Sequence, residues 1–399
     1  MKQPPVYLMD VGAICALGSN LDRISERLYR ADPDCLSWSG QFSHGHSLPL
    51  GMVGTDLPPP ENLPAHQRSR TNQLLLAAMQ PIRSQFDNLR QGIDPLRIGV
   101  VIGTSTSGIA EGETDLATHL ETGSWPQRFD YQRQEMANAA SMLADLLGIQ
   151  GPAMVISTAC SSGAKALASA RRLLRANLCD LVVAGGVDSL CQLTVQGFSA
   201  LEAISDRPCL PFSANREGIN IGEGAALFLL SREPGPVCLS GVGESSDAHH
   251  FSAPHPQGDG AASAMSRALE DAQLEPGDIG YLNLHGTATR QNDLMESRAV
   301  ARVLGTEVPC SSTKGYTGHT LGAAGAIEAM FCWLSLTHPK PALPPHLWDN
   351  CRDLELEPIN LVLEADQGTT DREPLKRAMS NSFAFGGNNI SLIMERTGQ

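Results

Sequence analysis

Apolar and polar positions along the chain spell out an order of short strands and helices that is written twice. The run Val6-Tyr7-Leu8-Met9-Asp10-Val11-Gly12 has the character of a buried strand, a helical stretch follows around Leu74 to Phe86, and a second strand-like run ends at Ile98-Gly99-Val100-Val101-Ile102-Gly103-Thr104. The later half repeats this with Val237-Cys238-Leu239-Ser240-Gly241-Val242-Gly243, a helical stretch around Ala264 to Ala272, and a run from Leu274 through Tyr281-Leu282-Asn283-Leu284 to His285. In each half a strand, a small-residue turn and an alanine-rich helix come next, over Ser157-Thr158 to Arg175 and over Ser312-Thr313 to Leu336. The pattern predicts a duplicated α/β unit whose pseudo-twofold axis brings the turns of Cys160 and His319 together. Arg232-Glu233-Pro234-Gly235-Pro236 reads as the joint, dividing the chain into residues 1–235 and 236–399.

Cys160 stands where Val155-Ile156 gives way, past Ser157-Thr158, to the helical spacing of Ala164, Leu167, Ala168, Leu173 and Leu174. A thiol at a strand-to-helix turn feels the positive end of the helix dipole. That field favours the thiolate, the attacking species. Ser161, Ser162 and Gly163 leave room for a substrate. Two distant histidines, in His285-Gly286-Thr287 and Gly318-His319-Thr320, make sense as its partners. One cysteine and two histidines suggest carbon–carbon bond formation through a thioester.

Composition narrows the classes without naming one. With 399 residues, 42% apolar content, 38 glycines and 26 prolines, the chain is long enough for two packed halves. No run approaches a membrane-spanning length, and Asp10, Gly12 and Gly18 break the first apolar segment, so the cytoplasm is the expected compartment. The 10 cysteines show no Cys-x-x-Cys pairing, which argues against a metal and against a disulfide framework. His249, His250 and His255 cluster without a convergent ligand pattern, so no metal site is assigned. A formal charge of −14 disfavours nucleic acid.

Four blocks then carry a resemblance across essentially the whole chain. Thr158-Ala159-Cys160-Ser161-Ser162, His285-Gly286-Thr287-Ala288-Thr289 with Asn292-Asp293-Leu294-Met295-Glu296, Lys314-Gly315-Tyr316-Thr317-Gly318-His319-Thr320-Leu321-Gly322-Ala323-Ala324-Gly325, and Asn381-Ser382-Phe383-Ala384-Phe385-Gly386-Gly387-Asn388-Asn389 resemble the signature blocks of the β-ketoacyl-acyl-carrier-protein synthases. The resemblance implies a thiolase-like α/β fold, a five-layer αβαβα sandwich of two duplicated halves, normally dimeric. It implies that Cys160 takes an acyl chain from the phosphopantetheine of an acyl carrier protein, and that His285 and His319 hold the malonyl thioester oxygen during decarboxylation. The N–H groups of Cys160 and Phe385 would form the other oxyanion hole. Lys314 would orient His319 and pair with Asp293 or Glu328. Phe383 and Phe385 match the family's gate, and Thr287, Thr289 and Ser252 the pantetheine channel. No cofactor is expected beyond the carrier's arm.

Departures from the family pattern lie near the expected acyl pocket. Ala384 and Asn388 replace the usual glycine and threonine, Asn220 stands where a bulkier apolar residue is common, and Thr104-Ser105-Thr106-Ser107 replaces a glycine-rich turn. With Thr106 and Asn220 as pocket residues, a polar pocket suits an unsaturated, oxygenated or aryl-primed chain, as in type II polyketide clusters including those for aryl polyenes. Arg68, Arg70 and Arg207 are the expected docking cations for the acidic carrier. The chain is expected to form a homodimer, or a heterodimer with a chain-length-factor-like homologue. Two alternatives to the active ketosynthase remain: a non-catalytic chain-length partner, which generally lacks the nucleophile, and a thiolase acting on coenzyme A, which would need a second cysteine as acid and base.

Overall fold

The duplication foreseen in the sequence is present strand for strand. The structure is a computed structural model that describes residues 4–339, 342–363 and 373–398. Its first half contains β1 (Tyr7–Ile14), β2 (Ile98–Gly103), β3 (Ala153–Ile156), β4 (Leu181–Asp188) and β5 (Gly224–Ser231), in the spatial order β3-β2-β4-β5-β1. The second half contains β6 (Val237–Ser246), β7 (Tyr281–Asn283), β8 (Pro309–Ser311), β9 (Asn360–Leu361), β10 (Arg377–Ala384) and β11 (Asn388–Arg396), in the order β9-β8-β7-β10-β11-β6. Apart from β9 and a small separate hairpin of Ser37–Ser39 with Leu48–Leu50 in the first half, each strand has a counterpart in the other half with the same pairing. β2 and β7 lie parallel to both neighbours, while β5 and β11 are antiparallel to theirs. The two sheets meet where Tyr7 pairs with Cys238 and Leu8 with Val237.

Helices fill the spaces above, between and below the sheets, giving the layered αβαβα arrangement. Arg70–Leu89 and Asn138–Leu147 cover the outer face of the first sheet, Asp259–Ala272 and Arg290–Val303 that of the second, and Ser162–Arg175 and Ala324–Thr337 lie between. The middle pair is alanine-rich because each helix is pressed from several sides at once. A Cβ on Gly163 would come within 2.9 Å of the Ala326 nitrogen, and one on Gly325 within 2.7 Å of the Ala164 Cβ. The two helices therefore cross reciprocally, glycine against alanine, and an added methyl at either glycine over-packs the contact at about 1–3 kcal/mol. This crossing sets how far apart the turns that begin the two helices can be.

The predicted helices are slightly short. The stretch expected around Leu74 to Phe86 is the helix Arg70–Leu89, capped by Ser69, whose Oγ accepts from the Asn72 N–H at 3.2 Å. No helix among the described residues is long and apolar enough to cross a membrane.

Candidate active site

β3 ends at Ile156 and the inner helix begins at Ser162, so Cys160 sits at the strand-to-helix turn that the pattern predicted. Ala159 adopts φ 52°, a left-handed conformation that turns the chain sharply and thrusts the next side chain out of the turn. Side chains lock this shape. The Ser162 Oγ accepts from the Thr158 N–H at 2.8 Å and donates to the Ala159 carbonyl at 2.6 Å, and the Ser161 Oγ donates to the Thr158 carbonyl at 2.8 Å. The Cys160 sulfur is 2.9 Å from His319 Nε2 and receives the backbone N–H of Phe385.

The expected thiolate is not the resting form. Burial pushes the Cys160 thiol up to about 11, and the opposing pull of the Lys314 charge and the Phe385 N–H is smaller. Cys160 is only 5% exposed, so desolvation is the largest influence on its thiol. His319 Nε2 is the adjacent group able to take the proton.

The two histidines face each other across this sulfur, ring centroids 5.4 Å apart and planes at 82°. Burial, reinforced by Lys314, drives both well below the usual imidazole range, so both rings are neutral. Lys314 was expected to orient His319, but its Nζ lies 3.3 Å from Nδ1 of His285 and also donates to the His285 carbonyl. An ammonium only donates, so His285 Nδ1 accepts and its proton resides on Nε2. Lys314 pairs with Glu328, whose carboxyl burial raises to about 7. Asp293 is not the lysine's partner. It accepts from the Phe212 N–H at 2.7 Å and lies 3.9 Å from Arg216.

Glu296 is the residue that reading the motif by itself passed over. Its two oxygens accept the N–H groups of His285 at 2.8 Å and Gly286 at 2.7 Å. Its place three residues after Asp293, one helical turn along the same face, was the available signal. The Cys160, His285 and His319 ligand atoms all lie within 4.8 Å of one another, a donor set of metal-binding composition. The Lys314 ammonium against His285 opposes a second cation there.

These groups open into a cavity of about 530 Å³ lined by Thr287, Thr289, Ser252, Phe383 and Phe385 among others. The Phe385 ring packs against Phe198 at 5.4 Å, and Gly386 and Gly387 at φ 80° and 73° form the bend after it. Lys165 donates to Asn388 at 3.1 Å, tying that bend to the nucleophile helix. Asn220 and Thr106, expected at the acyl pocket, do not line this cavity. Asn220 spends its amide on the Cys209 N–H at 2.7 Å and the carbonyls of Ser205 and Arg207, because a buried amide must be satisfied. Thr106 donates to Asp188 at 2.8 Å.

The expected docking arginines also separate. Arg70 points inward onto the buried Glu223, Nε to Oε2 at 2.7 Å, so its charge is neutralised within the fold. Arg68 is exposed but its Nε donates to the Leu63 carbonyl, and Arg207 pairs at 2.5 Å with Glu217, a residue of the cavity rim. Arg290, exposed at the rim, was not singled out in the sequence.

Comparison with known proteins agrees with this architecture. Residues 65–234 match the beta-ketoacyl synthase N-terminal domain and residues 237–347 its C-terminal domain. Nodulation protein E of Rhizobium meliloti is 32% identical over 98% of this chain and 99% of its own. 3-Oxoacyl-[acyl-carrier-protein] synthase 2 of Rhizobium meliloti (strain 1021) is 34% identical over 76% of this chain and 75% of its own. A chain from the complex of the ketosynthase ApeO with its chain length factor ApeC, from Xenorhabdus doucetiae, superimposes with a TM-score of 0.91 at 43% identity, covering 99% of this chain and 98% of that one. With a buried cysteine and two neutral histidines at the ends of duplicated units, and both domain models matched in order, the chain belongs to the beta-ketoacyl synthase family.

Proposed function

We propose that this chain is an active ketosynthase that condenses a Cys160-bound acyl group with a malonyl thioester carried on an acyl carrier protein. The observation that carries the proposal is the meeting of the Cys160 sulfur and the two neutral imidazoles within 4.8 Å, with a lysine behind one of them. Cys160 gives its proton to His319 and attacks the incoming acyl thioester. The tetrahedral oxyanion is met by the N–H groups of Cys160 and Phe385, and the carrier leaves as a thiol carrying that proton. Malonyl carrier then enters past Thr287, Thr289 and Ser252. The bond to its carboxylate breaks, carbon dioxide leaves, and His285 and His319 donate N–H bonds to the thioester oxygen on which charge develops. The enolate carbon attacks the acyl carbonyl, the carbon–sulfur bond to Cys160 breaks, the departing thiolate takes up a proton from solvent, and a 3-oxoacyl carrier is released.

In this reading the half spanning residues 1–235 supplies the nucleophile and that spanning 236–399 supplies both histidines, Lys314 and Glu328. Phe383 and Phe385 gate the acyl pocket. Asp293 supports the site by fixing the backbone at Phe212. The enzyme needs no cofactor of its own. Its carrier docks near Arg68, Arg207 and Arg290, and all 10 cysteines being free suits a cytoplasmic enzyme. The likeness to a chain of a ketosynthase–chain length factor complex favours a specialised type II polyketide role beside such a partner. The complete Cys-His-His-Lys set disfavours the non-catalytic partner.

Intact-protein mass spectrometry tests the proposal after exposure to a panel of acyl carriers, followed by malonyl carrier and product analysis. The expected result is an acyl adduct lost in Cys160→Ala and discharged as a 3-oxoacyl carrier. No adduct with any acyl chain, or adducts that malonyl carrier never discharges, would sink it.

A further inference from the structure

Asp188, the last residue of β4, is fully buried and accepts six hydrogen bonds. Its Oδ1 takes the Thr104 hydroxyl at 2.7 Å and the Ser105 N–H, Thr106 N–H and Thr106 hydroxyl at 2.8 Å each. Its Oδ2 takes the Ser105 hydroxyl and the Gly322 N–H, the latter at 2.6 Å. One carboxylate therefore joins the hydroxyl-rich turn after β2 to the turn that follows His319.

The second of those turns needs holding. Leu321 lies at φ 50°, left-handed and unfavourable for a branched side chain by about 1–2 kcal/mol, and persists only if its surroundings over-determine it. His319 Nδ1 is buried with no hydrogen-bond partner among the described residues, so none of their side chains orients the ring from behind. Its position comes from the backbone, through its N–H to the Asn220 carbonyl at 2.6 Å, its carbonyl to the Gly222 N–H at 2.9 Å, and Asp188 at Gly322. The fit at Gly322 leaves no slack, since a Cβ there would lie 2.7 Å from Asp188 Oδ2 and 2.8 Å from the Ser105 nitrogen.

We propose that Asp188 is a positioning residue for the reaction: by holding the Gly322 N–H it fixes the strained turn that aims His319 Nε2 at the Cys160 sulfur. The condensation readout of this inference rests on the function proposed above; the cysteine readout does not. Asp188→Asn presents an amide N–H to groups that are themselves donors, and Gly322→Ala wedges a methyl into the same contact while leaving the carboxylate intact. Both should lower kcat for condensation by up to about 100-fold, the scale of a displaced catalytic group, with KM for malonyl carrier changed far less. Both should also slow alkylation of Cys160 by iodoacetamide several-fold, roughly as His319→Ala does. Thermal melting establishes that each variant is folded, and if Asp188→Asn fails to fold, Gly322→Ala decides. Folded variants that melt earlier but keep wild-type kcat and wild-type alkylation overturn the proposal. A wild-type protein that does not condense at all removes the proposed function, while the alkylation comparison still decides the role of Asp188.

Discussion

The two catalytic-site histidines are seated in opposite ways. His285 is held by charged side chains: Lys314 at its Nδ1, Glu328 behind the lysine, and Glu296 on the N–H groups of His285 and Gly286. His319 has no partner at Nδ1 among the described residues and is held by its own backbone. The first seat fixes a tautomer as well as a place, because an ammonium leaves the ring proton only one nitrogen. The second leaves the tautomer free, which suits the proposed role of a ring that accepts the thiol proton in one half-reaction and donates an N–H in the other. Within one site, charged side chains seat one ring and backbone geometry seats the other.

The largest predicted effect attacks the charged seat. Lys314→Met should cut malonyl-carrier decarboxylation by about 100- to 1,000-fold, the scale for a lost oxyanion donor. It should also destabilise the fold by about 3–5 kcal/mol, because Glu328 is left buried and unpaired. Adding Glu328→Leu should restore most of the melting temperature but not the activity. If the double variant regains decarboxylation, the lysine does not act by fixing His285.

The next prediction concerns the sulfur that both rings face. A thiol raised to about 11 is protonated below that pH and loses its proton above it. Alkylation of Cys160 should thus climb steadily from pH 7 to 10, by up to about tenfold per unit, without levelling off. A plateau already reached at pH 7 would mean that the helix end overcomes burial after all.

Asn220 tests the backbone seat. Asn220→Ala leaves the Cys209 N–H without its acceptor and should cost about 1–3 kcal/mol in urea unfolding, with acyl-chain preference unchanged. A shifted chain preference would return Asn220 to the pocket.

Much of this was legible in the chain. The duplicated order of strands and helices, the turn at Cys160 and the pairing of that turn with His319 follow from periodicity and small residues, which act over a few neighbours. The site's supports were less legible, since Lys314 is 29 residues from His285 and could have faced either ring. Glu296 was visible only as a helical neighbour of Asp293. Asn220 and Thr106 satisfy buried groups and do not line the cavity at Cys160, and spacing does not distinguish a polar residue that lines a cavity from one that satisfies its buried neighbours. The pairing of Arg70 was equally illegible, its buried partner Glu223 lying 153 residues away.

By itself, the sequence determined the repeated α/β units, the nucleophile at its turn and the family's reaction type, because local pattern and motif chemistry are written in consecutive residues. The tertiary structure decided how far burial raises the Cys160 thiol, which histidine Lys314 contacts and which polar residues line the cavity. Those outcomes depend on how much water burial removes and on contacts between residues far apart in the chain, and neither quantity exists until the two halves have packed together.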